Sequence, residues 1–196
     1  MLALTMIAEI FYGYITNSMS LLADGYHMGT HALALGLTYI AYILSRNYSN
    51  SDKFPSGTNK IGTLAAYTSS LFLGTTGLWI IFEAFTRIIN PIAICFSEAI
   101  IVAVIGLVVN GACIFVMETG HNHEEHDHKD YNFMAAYYHI LADALTSVLA
   151  IFALLVGKYF NFVYLDAIVV ILGGFLIIKW AISLIKDTVK ILIDMK

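Results

Sequence analysis

Two short histidine-bearing motifs stand out in a chain that is otherwise poor in charge. His27 and His31 are four residues apart in HMGTH, and His139 and Asp143 are four apart in HILAD. On an α-helix this spacing puts both side chains on one face, about a turn apart. Two such faces turned toward each other offer three imidazoles and one carboxylate. That is a tetrahedral N3O set suited to Zn2+ or a similar divalent transition metal.

Both motifs lie inside apolar runs. Ionisable residues are expensive within a membrane and mark a pathway or a binding site. A lone intramembrane histidine is commonly a hydrogen-bonded tether between helices. Two pairs with equal spacing, each near the middle of its run, are not explained that way.

The elements that must carry these motifs follow from composition. Of 196 residues, 59% are hydrophobic and only 12% charged, whereas soluble domains carry about 25% charged residues. The chain therefore reads as an all-α membrane protein with six transmembrane helices. The spans fall at about 1–22, 23–44, 61–85, 94–117, 133–156 and 164–185, each near the ~20 residues needed to cross a bilayer. Backbone groups in lipid must be satisfied within the segment, which selects helices, and no run alternates as a barrel strand does. The first run is short, as if the chain began inside it. It lacks a basic leader and a small-residue cleavage site, so it reads as a mature span and not a signal peptide.

Charge orients the spans. If six spans alternate, Arg46, Lys53, Lys60, Lys129, Lys186, Lys190 and Lys196 share one side and Arg87 and Lys158 the other. The positive-inside rule makes the first side cytoplasmic, with both termini and the 118–131 loop. That loop holds HNHEEHDHKD, in which His121, His123, His126 and His128 alternate with acids. Such a tract binds transition metals loosely without a rigid site. Asp24, one turn before His27, is expected to cap the second helix, with a partner that supports His27 or an outer gate as the alternative. Glu9 and Asn110 are expected to tether helices by hydrogen bonds. Cys95 and Cys113 lack CxxC spacing and read as packing residues. No basic patch suggests nucleic acid.

The alternative reading is a membrane di-iron or haem-binding redox protein. HMGTH fits HxxxH, but the HxxHH motifs of membrane di-iron enzymes are missing from the sequence. A haem held between His27 or His31 and His139 leaves Asp143 without a role. Neither an enzyme nor a resident cofactor is expected, and Zn2+ would be cargo.

Over nearly its whole length the sequence resembles the cation diffusion facilitator family of metal–proton antiporters. SLLADGYHM, Ser20–Met28, is similar to that family's entry into its second span, and HMGTH occupies the slot of its HxxxD motif. HILADALTSVLAIFALL, His139–Leu155, resembles the fifth-span HxxxD helix, and the histidine tract sits in the family's loop between spans four and five. Glu9, Gly13 and Asn110 also sit where members carry such residues. The resemblance implies export of metal from the cytoplasm in exchange for protons, by a homodimer. His31 stands where many zinc members have Asp. This resembles a bacterial subgroup of divalent-metal exporters of the cytoplasmic (inner) membrane. It leaves Zn2+, Co2+, Cd2+ and Ni2+ open and disfavours Mn2+, which prefers oxygen ligands. Members usually carry a cytoplasmic C-terminal domain, which is expected to be absent here.

Overall fold

A computed structural model describes the backbone of residues 2–49, 58–121 and 131–195, with side chains at 3–49, 58, 60–112 and 143–195. Six helices are described: α1 (Leu2–Thr16), α2 (Met19–Asn47), α3 (Asn59–Ile89), α4 (Phe96–His121), α5 (Tyr131–Phe160) and α6 (Tyr164–Leu192). Met19–Asn47, Lys60–Ile89, Asp143–Phe160 and Tyr164–Leu192 are long and apolar enough to cross a membrane, and Ala3–Thr16 and Phe96–Ala112 are shorter apolar stretches. At 1.5 Å per residue, a 29-residue helix such as α2 measures about 43 Å, more than the ~30 Å hydrocarbon core.

Polarity is distributed inside out. Leu35, Tyr39, Trp79, Phe82 and Phe175 are exposed, while Glu9, Ser18, Ser70, Asn110, Ser147 and Asp166 are buried. Water would not tolerate that arrangement, and lipid would. The chain is a multi-pass α-helical membrane protein.

The breaks between helices have local causes. Asn17 ends α1 with φ 59°, and Asn161 follows α5 with φ 55°. Asn enters this left-handed region more readily than other side chains with a Cβ. Asn90-Pro91 closes α3, because the residue before a proline is pushed out of the helical region.

The described residues form two compact units. The first comprises Met1–Gly25 and Ala84–Val170. In it α1 packs on α4 and α4 on α5. Its core is Leu21, Ala99, Val102, Ala103 and Leu154. Close approach of α1 and α2 rests on two glycines. A Cβ at Gly13 would lie 2.8 Å from Leu22 Cγ, and one at Gly25 would lie 2.7 Å from Ile10 Cγ1. The connections at one end of this unit are tied together. Cys95 N donates to Thr16 O (2.9 Å), Asn17 Nδ2 to Ala93 O (3.2 Å) and Arg87 Nη1 to Asn17 O (3.3 Å). Cys95 itself is free and exposed, so it is not the packing residue that the sequence suggested.

The second unit comprises Tyr26–Glu83 and Ile171–Lys196. Here α3 and α6 touch through small residues. A Cβ at Gly77 would lie 3.2 Å from Ile177 Cγ2 and 3.6 Å from Gly174 O. Small residues at the crossing let two backbones approach where no hydrophobic effect drives association. At the end of α6, Lys60 Nζ donates to Leu192 O (3.1 Å) and Asp194 Oδ2 (2.7 Å).

Candidate metal site

The second unit holds the first histidine pair. His27 is buried and His31 half-buried on one face of α2. Their Nε2 atoms are 3.0 Å apart, with ring centroids 4.4 Å apart and planes at 85°. One ring nitrogen donates and the other accepts. Two nitrogens bound to one tetrahedral Zn2+ at ~2.0–2.1 Å are separated by about 3.3 Å. The pair is thus within a few tenths of an ångström of a chelating bite. Thr30 Oγ1 donates to His27 O (2.7 Å), holding the intervening turn.

The first unit holds Asp24, Asp143 and Ser147. Ser147 is buried one turn after Asp143 on α5. Its one hydroxyl proton is shared between Asp24 Oδ2 (2.9 Å) and Asp143 O (3.1 Å), and Thr146 Oγ1 also donates to Asp143 O (2.8 Å). Asp24 on α2 is therefore fastened to α5 by a charge-assisted hydrogen bond, the stronger kind. Asp143 is half-buried. The backbone of α5 runs through His139, whose side chain lies outside the described residues. His121 ends the α4 backbone. Its side chain, and the tract with His123, His126 and His128, lie outside the described residues too.

Two expectations are corrected. Asp24 does not cap α2, because the helix starts at Met19 and Asp24 sits in its second turn. The cap is Ser18, whose Oγ accepts from Leu21 N (3.4 Å), reinforced by Asp166 of α6. Nor does the Glu9 carboxylate tether helices. It is 1% exposed, and neither oxygen has a hydrogen-bond partner among the described residues; Asn110 Nδ2 is in the same position. Glu9 fits because residue 106 is glycine, where a Cβ would collide with Glu9 Oε1. Asp166 and Ser147 were not singled out from sequence. An acid in the first turn of an otherwise apolar span is the signal that points to Asp166. A lone serine on an apolar helix gives none.

These features define a class: a multi-pass helical membrane protein with a polar, histidine-bearing interior. The model of the cation efflux transmembrane domain matches residues 1–193. The chain belongs to this family, the cation diffusion facilitators. It is 36% identical over 185 residues to a probable zinc transporter, MSC2, of Saccharomyces cerevisiae, covering 93% of this chain and 25% of that protein. It is 31% identical over 189 residues to a cadmium, cobalt and zinc/H(+)-K(+) antiporter of Bacillus subtilis, covering 96% of this chain and 59% of that one. It is 32% identical over 189 residues to zinc transporter ZitB of Pectobacterium atrosepticum, covering 96% and 57%. The chain thus spans from a quarter to about three fifths of the length of these relatives.

Proposed function

We propose that this chain forms the membrane pathway of a secondary transporter that exports a divalent transition metal, Zn2+ foremost, from the cytoplasm in exchange for protons. His27, His31, His139 and Asp143 hold the ion in transit. The observation that carries this reading is the His27–His31 pair, with two Nε2 atoms 3.0 Å apart on a helix apolar enough to span a membrane. Family membership and the names of the relatives, zinc transporter and cadmium, cobalt and zinc antiporter, support it. The Ser147–Asp24 bond adds support. It fastens α2 to α5 one turn from His27 on one helix and one turn from Asp143 on the other.

Proton coupling follows from the ligand chemistry. A metal takes neutral imidazole and ionised carboxylate, so its arrival releases protons and their return expels it. Imidazole titrates near pH 6.5 in water, which puts this exchange within reach of ordinary pH gradients. Access alternates between the two faces as helices rock around the site. The working protein is a homodimer in the cytoplasmic membrane with both termini cytoplasmic. The His121–His128 tract gathers metal at the inner mouth without fixed geometry.

The test is Zn2+-driven proton flux in proteoliposomes. His139→Ala and Asp143→Ala should each abolish flux while the purified protein elutes as a folded species. Wild-type flux in both variants would refute the site.

A further inference from the structure

The first turn of α2 is held by a carboxylate from the far end of the sequence. Asp166 Oδ2 accepts from Met19 N (2.6 Å), and Oδ1 accepts from Ser20 N (3.2 Å) and Ser18 Oγ (3.4 Å). Leu21 N is met by Ser18 Oγ and Leu22 N by Ser18 O (3.3 Å). The Met19, Ser20 and Leu21 amides, which have no partner within the helix, therefore all have side-chain acceptors, and Leu22 makes the first bond of the helix itself. Asp166 is 2% exposed. With both oxygens occupied by these donors, it is not a free ligand for a cation.

The geometry constrains more than capping requires. Successive amides on a helix are 100° apart about its axis. Two of them gripping the two oxygens of one carboxylate resist both sliding and rotation of α2 against the start of α6. The helix start is also tied to α1, since only Asn17 and Ser18 separate the two helices and Gly13 and Gly25 let them pack closely. His27 follows Met19 by eight residues, about 12 Å along the same helix. Its ring lies roughly 5–6 Å from the axis, so a 20° rotation of α2 would carry it about 2 Å. That is a whole Zn–N bond length.

We propose that Asp166 is a positioning residue for metal binding: by gripping the Met19 and Ser20 amides it sets the rotation of α2 and hence where the His27–His31 pair points. This rests on the metal site proposed above and adds to it a residue that touches no metal. Any rocking during transport must then carry the first turns of α2 and α6 together.

The test is Zn2+ titration of the purified full-length protein, for wild type, Asp166→Asn, Asp166→Glu, His27→Ala and the Asp166→Asn/His27→Ala pair. The amide variant puts an N–H2 donor against a backbone N–H, and losing a charge-assisted hydrogen bond is worth at least about tenfold in an equilibrium. Asp166→Asn should bind Zn2+ about tenfold more weakly, with Asp166→Glu, which keeps both acceptor oxygens, recovering most of the loss. On the His27→Ala background Asp166→Asn should add little, because a positioning effect needs the ligand it positions. Wild-type affinity in Asp166→Asn overturns the proposal, as does a full tenfold loss added on the His27→Ala background. If Asp166→Asn does not fold, Asp166→Glu decides. Faster amide exchange at Met19 and Ser20 with a matching loss of affinity supports the proposal, and faster exchange with unchanged affinity overturns it. Wild-type affinity in His27→Ala is a separate result that removes the metal site itself.

Discussion

Two glycines on α2 should respond oppositely to the same substitution. In a bare helix, Gly→Ala stabilises by up to about 1 kcal/mol. Around Gly36 nothing among the described residues lies within 4 Å of an added Cβ, so Gly36→Ala should be neutral or stabilising by up to that amount. At Gly25 the same methyl would lie 2.7 Å from Ile10 Cγ1, 3.0 Å from Ile10 N and 3.3 Å from Glu9 Cβ. A side-chain carbon can give way, but the backbone nitrogen moves only with α1. Ordinary contacts need about 3.5–4.0 Å, so the two helices must part by roughly 0.5–1 Å. Overpacking of this kind costs about 1–3 kcal/mol, against the ~1 kcal/mol gained from propensity. Gly25→Ala should therefore be destabilised by up to about 2 kcal/mol. Thermal unfolding of both variants in one detergent, followed by monodisperse elution, reads the two signs side by side. A Gly25→Ala protein as stable as Gly36→Ala would show that α1 and α2 are not in this close contact.

Three further outcomes are expected. His27→Ala should weaken Zn2+ binding by roughly 10²–10³-fold, because ~10–16 kcal/mol of zinc affinity shared over four ligands is about 2.5–4 kcal/mol each; isothermal titration checks this, and a change below threefold contradicts it. Ser147→Ala removes the donor to Asp24 Oδ2 and should destabilise the protein by about 1–3 kcal/mol, measured by the same thermal assay. Deleting His121–His128 should raise the apparent KM for Zn2+ in vesicle transport and leave maximal flux within about twofold, since a loose tract concentrates metal without forming the pathway; loss of all flux would make the tract essential.

The helical architecture was legible because it depends on local properties. Long apolar runs, polar joints and Asn90-Pro91 announce helices and breaks from neighbouring residues alone. The His27–His31 pair was legible for the same reason, since a four-residue spacing fixes which side chains meet on one helix. What escaped depended on distant partners. The second span was expected from about Ala23, yet α2 begins at Met19, because Ser18 and the Asp166 carboxylate satisfy its first amides. Asp24 looked like a cap only because the true start, Asn17-Ser18, is buried in a run that reads as continuous. Glu9 and Asn110 were correctly seen as intrusions into apolar spans. Their surroundings were not visible, since the space for Glu9 is set by the missing side chain at Gly106, 97 residues away by number (106 − 9).

The bond between Asp166 and the start of α2 also orders assembly in time. The partners are 147 and 146 residues apart, so α2 leaves the ribosome and enters the bilayer long before the carboxylate that completes its first turn has been synthesised. Until α6 arrives, the Met19 and Ser20 amides must rely on interfacial water, and contacts across such a separation form late. The helix bearing the histidine pair is among the first to be made, yet its final setting awaits the last helix described.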